Sequence, residues 1–280
     1  MAESNPFPEE DKLEDQLEDA LIAILADSLI FAVSQIDPET FTYSYFATVQ
    51  DRFRSRFSSI YPTMVTSSNE AIEIAISRIS SDLGIDDIFI DYSQERFSIA
   101  LRETFNVNLS YILETNEQMW MRLNEIAIER SWSNAELARR LKMYYGLVPS
   151  HLQTVLNMES ALIAEGVNKR SRDKQLQRRI DRLINWRLNL VSNQLSTSTV
   201  ESSKDESFGY LVDTNQIDPN EYEKQWVSII DDVTTDICTS LHLNRAPIGG
   251  TFRDGIRHPP AYPPVHECRS AITLVRKTNG

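Results

Sequence analysis

The sequence predicts a mainly α-helical fold, in which a long helical N-terminal body precedes a small α+β C-terminal domain. Apolar residues recur at helical spacing through the first two-thirds of the chain, whereas short β-branched runs appear only near its end. Of the 280 residues, 41% are hydrophobic and 25% charged, with 8 Gly and 11 Pro, as in ordinary globular proteins. Wholesale disorder and collagen-like repeats are therefore excluded.

The first helices follow from apolar spacing and from breaker residues. Leu13, Leu17 and Leu21 lie on one helical face, and Asp37-Pro38 is expected to end that helix and begin the next. A capping box of Ser67 and Glu70 predicts a further helix from Ser67 to Leu83, which Gly84 terminates. Residues 93–112 and 115–131 predict two more helices.

Three helices are predicted between residues 133 and 195. Ser133 and Glu136 form a second capping box, for a helix that stops at Gly146. Pro149 then opens a helix that Gly166 closes. The last is a basic amphipathic helix over Asp173–Leu195.

Composition changes after residue 195, which predicts a domain boundary. The Ser/Thr-rich residues 196–207 are interpreted as a linker between a helical body, 1–195, and a C-terminal domain, 208–280. The runs Gln225–Ile230 and Ala271–Val275 are predicted as strands. Glycine and proline pairs between them indicate tight turns.

Charge is unevenly distributed along the chain. The formal net charge is −13, and residues 1–50 hold eleven acids against one base, so a protein that coats nucleic acid is excluded. The sign reverses in one basic run, which is interpreted either as a solvated helix face or as a contact for DNA phosphates or an acidic protein. Its candidate contact residues are Lys169, Arg170, Arg172, Lys174, Arg178, Arg179 and Arg182.

No segment predicts export or membrane insertion. The first residues are acidic rather than basic and apolar, and the most apolar run, Leu21–Val33, is shorter than the ~20 residues of a membrane span. We therefore expect synthesis in a cytoplasm and no membrane partner. Two cysteines in such a chain indicate a reducing compartment.

Potential metal ligands are concentrated near the C-terminus. Two cysteines and two histidines are a sufficient tetrahedral zinc set, although their spacing is not that of a zinc finger. The candidate ligands are Cys238, His242, His266 and Cys268. The alternatives are free buried thiols with histidines that stabilise turns, or a thiol nucleophile at Cys238.

The same segment resembles a known family. Trp226 begins a run with Asp231, Thr234 and Cys238, and the chain later reads Pro263-Pro-Val-His-Glu-Cys-Arg-Ser270. This pattern is similar to the C-terminal domain of the Mu F-like minor head proteins of tailed phages, over about residues 140–276. Three features depart from the family: Val191–Leu195 replaces its Ile-Ala-Arg-Thr-Glu, Ser270 replaces a third cysteine, and the glycine after Leu-x is missing.

The resemblance implies a structural rather than an enzymatic role. Mu F-like proteins enter the procapsid at low copy near the portal and assist head assembly, DNA packaging or genome ejection. The expected location is thus inside the virion head, with the portal, major capsid or scaffolding protein and the packaged DNA as partners. We expect the motif residues to fix the turn-rich segment, with Arg269 bridging to Asp231 or Asp236.

Two other functions are compatible with the sequence. Ser133–Leu141 followed by a helix from Pro149 is similar to a helix-turn-helix regulator, although the second helix is not basic and the connection is longer than usual. A zinc-dependent hydrolase is a further alternative, with Asp232 or Asp236 as base. Its site residues would be Asp231, Cys238, His266 and Cys268.

Overall fold

Helices make up most of the chain and a small antiparallel sheet lies near its C-terminus, which confirms the predicted mainly α fold class. The computed structural model describes residues 6–42, 44–85, 87–231, 234–260 and 268–277. The helices and strands are, in chain order, α1 (Pro8–Ser34), α2 (Tyr45–Phe57), α3 (Tyr61–Leu83), α4 (Glu95–Glu129), α5 (Asn134–Tyr144), α6 (Pro149–Ala164), α7 (Lys169–Asp213), β1 (Tyr222–Ser228), α8 (Asp236–Leu241), β2 (Arg245–Ala246) and β3 (Ser270–Arg276). Short 3₁₀ turns lie at Ser58–Ile60 and Arg253–Gly255.

The chain divides into two compact units, and the division falls within α1, α4 and α7. The sheet unit comprises Met1–Leu21, Tyr61–Asn106 and Leu190–Gly280, and the helical unit comprises Ile22–Ile60 and Val107–Asn189. Neither unit is a continuous stretch of sequence. The prediction of a linker at residues 196–207 is wrong, because these residues belong to α7.

The predicted strands are confirmed as β1 and β3. β1 lies between β2 and β3, both pairings are antiparallel, and Trp226 pairs with Ile272. Along β1 every second residue is buried, so one face of the strand points into the core of the sheet unit. That core also takes apolar residues from α3 and from the ends of α4 and α7. β2 has only two residues, too few to leave a pattern in the sequence.

Residues 196–207 are buried although they are rich in serine and threonine. Their hydroxyl groups donate to backbone carbonyls of the preceding helical turn, as from Thr199 to Leu195 (2.8 Å) and from Ser203 to Thr199 (2.6 Å). Ser203 also shares a hydrogen bond with Ser68 of α3 (2.7 Å between the oxygens). A polar composition therefore does not expose this segment, since its polar groups are satisfied inside the protein.

Several helix boundaries differ from those predicted. α3 begins at Tyr61 rather than Ser67, because Pro62 fits its first turn and the apolar face already includes Met64. The segments 93–112 and 115–131 form the single helix α4. No helix begins at Pro38, where the Asp37 carboxylate instead accepts hydrogen bonds from the Glu39 N–H and the Thr40 hydroxyl.

The helical unit confirms the predicted start and end signals of α5 and α6. The Ser133 hydroxyl caps α5 by accepting from the Glu136 N–H at 3.2 Å. After α5, Gly146 has a φ of +98°, and an added Cβ there would lie 3.1 Å from Leu29. Glycine is needed at this position both for its conformation and for the close approach of Leu29. α6 begins at Pro149 and ends before Gly166.

Candidate functional site

Trp226 anchors the family-motif residues to the sheet. Its side chain is fully buried, and its ring meets Phe252 edge-on at 5.6 Å between centroids. Its indole N–H donates to the Ser228 hydroxyl at 2.9 Å, and that hydroxyl lies 2.8 Å from the hydroxyl of Ser270. The end of β1 is therefore tied to β3 by a buried polar chain rather than by apolar packing alone.

Asp231, Thr234 and Arg269 close the turn that follows β1. The Asp231 N–H donates to the Thr234 hydroxyl (2.9 Å), which itself donates to the Ile229 carbonyl (2.8 Å). Arg269 donates to the Asp231 carboxylate at 2.6 Å, so the predicted bridge to Asp231 is confirmed. Because both side chains are 40% exposed, the bridge positions the turn but contributes little to stability.

The two cysteines are buried together and form no disulfide bond. Cys238 on α8 and Cys268 before β3 are 3% and 1% exposed. Contact with the Cys238 thiol and burial both raise the pKa of Cys268 well above its usual range. A raised pKa disfavours the thiolate that a cysteine nucleophile needs.

The predicted metal ligands are only partly brought together. Cys238 and Cys268 are in contact, but the Nδ1 atom of His242 accepts a hydrogen bond from the Ser228 N–H at 3.0 Å. His266 lies outside the described residues. Within the described residues no three His, Cys, Asp or Glu side chains are grouped so that they could hold a metal ion. Zinc binding that depends on His266 stays a prediction.

The predicted basic contact residues lie on the N-terminal half of α7, in the helical unit. Arg172 and Arg179 are half-buried, and the others are exposed: Lys169, Arg170, Lys174, Arg178 and Arg182. Among the residues that the structure describes, no ion pair includes any of the seven. This stretch is therefore a cationic surface whose charges are not held in ion pairs within the described structure.

Arg187, five residues further along α7, has a different role. It is 6% exposed, and its guanidinium donates to the Gly146 carbonyl (2.8 Å), the Asn116 side chain (2.8 Å) and the Ile112 carbonyl (3.3 Å). It also donates to the Thr115 hydroxyl. Burial lowers the pKa of Arg187 to about 10, so it remains charged at neutral pH. Arg187 thus fastens α7 to α4 and to the turn after α5.

A buried ionic network in the sheet unit has no counterpart in the sequence predictions. Lys224 on β1 and Asp205 on α7 are 0% and 1% exposed, with 2.7 Å between Nζ and Oδ1. Arg257 joins Asp205 to Glu206, and Arg96 joins Glu206 to Asp213. The sequence predicts only a linker at residues 196–207, which include Asp205 and Glu206.

A second buried group lies around Lys204. Its ammonium is 2.8 Å from Glu201 and 3.7 Å from Glu10, and Glu10 pairs with Arg78 at 2.7 Å. Glu201 also accepts from the Ile272 N–H of β3 at 2.6 Å. Opposite charges therefore link α1 and α3 to the C-terminal half of α7, and a backbone hydrogen bond links β3 to it.

The segment that resembles a helix-turn-helix holds its arginines in internal contacts. Arg140 of α5 donates to Glu136 (2.9 Å) and to Glu159 of α6 (3.0 Å), and it lies over the Trp132 ring. Burial works against its charge, but the hydrogen bonds to Glu159, Glu136 and Tyr144 outweigh burial and raise the pKa of Arg140. Arg139 pairs with Glu136 at 3.0 Å. Both arginines therefore already form ion pairs within the protein.

The remaining findings concern membrane spans and similarity to known proteins. None of the helices in the described part of the chain combines the length and the apolar character that a bilayer span requires. The chain gives no match to family models, to curated proteins or to solved structures.

Proposed function

We propose that this chain is a non-enzymatic minor head protein of a tailed phage, similar to the Mu F-like proteins. The observation that carries the proposal is the convergence of the motif residues. Trp226, Asp231, Thr234 and Cys238 lie in one segment and Cys268 and Arg269 in another, but the two segments brace one end of the same small sheet. Their contacts stabilise a turn-rich segment, and the contact with Cys238 together with burial raises the pKa of the Cys268 thiol, which supports a structural role over catalysis.

The protein would be made in the host cytoplasm and incorporated inside the head, next to the portal and the major capsid or scaffolding protein. Mass spectrometry of purified procapsids and virions from the phage that encodes this sequence tests this directly. We expect the chain in both, at a copy number far below that of the major capsid protein. Its absence from both particles during an infection in which it is made would refute the proposal.

The bracing role of the motif has a separate test. A Cys238→Ala/Cys268→Ala variant should make residues 231–270 more sensitive to limited proteolysis, because a buried contact between α8 and the start of β3 is lost. Cleavage within α5 and α6 should not change. Identical cleavage of both proteins would mean that the cysteines do not brace this segment, and zinc analysis of the same samples tests the proposed ligand set.

A helix-turn-helix regulator is the second candidate, and one observation favours it. Only residues 145–148 separate α5 from α6, which fits the usual turn of this motif better than the sequence indicated. Against it, Arg139 and Arg140 are paired internally, and α6 contributes no exposed lysine or arginine. Selection of binding sites from random duplexes tests this candidate. A helix-turn-helix regulator should enrich a common DNA sequence, and a selection without enrichment would exclude it.

A further inference from the structure

The exposed cations of α7 form a regular row. Arg170, Lys174, Arg178 and Arg182 are four residues apart, so at 3.6 residues per turn they lie above one another on successive turns. Leu176 and Ile180, two residues before and after Arg178, are buried, and the row therefore points away from the packed side of α7. From Arg170 to Arg182 the row is about 18 Å long at 1.5 Å per residue.

Nothing in the described part of the chain neutralises this row. Asp173 and Asp181 are the acids within it, and the Asp181 carboxylate accepts a hydrogen bond from Gln177 (2.8 Å) rather than pairing with a cation. Like charges four residues apart destabilise a helix slightly. A row of cations that repel one another and lack internal partners is suited to an external polyanion.

We propose that this row binds the phosphate backbone of double-stranded DNA without regard to sequence. An 18 Å row spans about five base pairs, and it presents a rigid line of charges to a rigid array of phosphates. Three of the four cations are arginines, whose planar groups bind phosphate oxygens in pairs. The net charge of −13 repels DNA from the rest of the surface and confines it to this row.

Single-stranded nucleic acid fits the row less well. Binding of single strands depends on successive aromatic side chains on which the bases stack. Trp186 continues the four-residue spacing and is 52% exposed, but its ring meets His151 edge-on at 5.2 Å. One aromatic ring at the end of a cationic row does not form a stacking platform.

DNA binding by this row goes beyond the head-protein proposal, and the two proposals can fail separately. A purified chain that binds DNA and is missing from virions would refute the head-protein proposal alone. A chain found in virions that does not bind DNA would refute DNA binding by the row and leave the head-protein proposal standing.

Fluorescence anisotropy of the full chain with a labelled 24-base-pair duplex, from 25 to 200 mM KCl, tests the row. Four phosphate contacts give a slope of log K against log salt of about −3.6, or about a 100-fold loss of affinity between 50 and 200 mM. In a variant with all four cations changed to glutamine, we expect binding to become undetectable at 50 mM. Arg178→Gln alone should reduce the slope by about 0.9.

The matched control removes the same charge elsewhere. Arg54, Arg102, Arg139 and Arg253 are exposed, and changing them to glutamine also takes the net charge from −13 to −17. We expect this control to bind DNA with an unchanged slope. Equal losses in the two variants would show that net charge, and not the row, governs binding, and the proposal would be overturned.

Competition experiments separate the possible partners. An unlabelled duplex should displace the probe, whereas poly-glutamate at equal charge should not. Equal displacement by poly-glutamate would assign the row to an acidic protein surface, and tighter binding of a single strand of equal charge would assign it to single-stranded nucleic acid. A tenfold preference between two unrelated duplexes would favour the α5–α6 segment. Equal displacement by poly-glutamate, tighter binding of a single strand and a tenfold preference between duplexes would each contradict the proposal.

Discussion

The two halves of α7 carry many charged residues, but their surroundings are opposite. In the N-terminal half, Arg170, Lys174, Arg178 and Arg182 are exposed and have no ion-pair partner among the described residues. In the C-terminal half, Glu201, Lys204 and Asp205 are almost completely buried, and each is paired. One helix thus contains both a cationic surface and an ionic core.

The difference follows from the apolar pattern of each half and from the residues that surround it. The N-terminal half has a regular apolar stripe with Leu176 and Ile180, so it buries one side only. The C-terminal half lacks such a stripe, and residues 196–207 are buried on all sides. A helix can be enclosed in this way only if its neighbours supply matching charges, as Lys224 and Glu10 do here.

The largest effect on stability is expected at Asp205. Asp205→Ala leaves the fully buried Lys224 ammonium with the Arg257 carbonyl as its remaining hydrogen-bond acceptor. Removing one partner of a buried ion pair costs about 3–5 kcal/mol, because the other charge stays desolvated. Urea unfolding followed by circular dichroism measures this loss.

The control for Asp205 adds Lys224→Met to the same variant. With both charges gone, the desolvation penalty disappears, so the double variant should be more stable than Asp205→Ala alone. If Asp205→Ala costs less than about 1 kcal/mol, the pair behaves like a surface salt bridge, and the contrast between the two halves of α7 fails.

A slightly smaller effect is expected at Arg187, where a buried charge lies close to the exposed row. Arg187→Met leaves the Gly146 and Ile112 carbonyls and the Asn116 side chain without this donor, at a cost of about 3 kcal/mol. Urea unfolding of Arg187→Met and Arg182→Met should give very different midpoints. Equal midpoints would show that burial does not decide the role of a charge in this part of α7.

Much of the fold could be predicted because its signals are local. The Ser133 cap, Pro149, and the glycines after α3, α5 and α6 mark helix ends through their own backbone preferences. β1 and β3 were recognisable from short β-branched runs. The extension of α3 to Tyr61 and the continuity of α4 were missed, since a capping residue inside a helix looks the same in sequence as one at its end.

The candidate site was predictable only where neighbours in sequence, or a family pattern, brought residues together. The bridge from Asp231 to Arg269 follows from the motif, and the basic row follows from the count of charges. The ionic core could not be predicted, because Lys224, Asp205 and Arg257 lie in different elements and are joined only by tertiary packing. The polar composition of residues 196–207 predicted a linker, because composition alone does not show whether a segment is buried.

Glu14 provides a pH-dependent test of the buried half. The residue is half-buried, but its carboxyl group is enclosed and accepts from the Thr197 hydroxyl at 2.7 Å. Burial and the nearby Glu201 carboxylate raise the pKa of Glu14 well above its usual range, whereas Thr197 and Lys204 oppose the rise. The folded protein therefore favours the protonated form.

The sign of the effect follows from this shift. A raised carboxyl pKa contributes stability below the ordinary value of about 4.5, and that contribution is lost as the pH rises through the folded-state pKa. Glu14→Gln, which stays neutral, should therefore be more stable than the parent at pH 8, and the gain should shrink as the pH falls toward 5. Urea unfolding across this range measures it, and a gain that is constant with pH would contradict the assignment to Glu14.

The smallest effect is expected in the exposed row, and its sign is informative. Arg178 has Lys174 and Arg182 four residues to either side, and like-charge pairs at this spacing cost a helix about 0.2–0.5 kcal/mol each. Asp181, three residues further on, accepts a hydrogen bond from Gln177 and forms no ion pair with Arg178. Arg178→Gln should therefore raise the free energy of unfolding slightly at low salt, and the gain should vanish at 1 M salt, where the charges are screened. Arg54→Gln is the matched control, because Arg54 has an acidic neighbour, Asp51, at 3.9 Å and should lose stability instead. A loss of stability in Arg178→Gln at low salt would mean that the favourable contacts of this arginine outweigh the repulsion, whereas a gain would show that repulsion along the row reduces the stability of the folded protein.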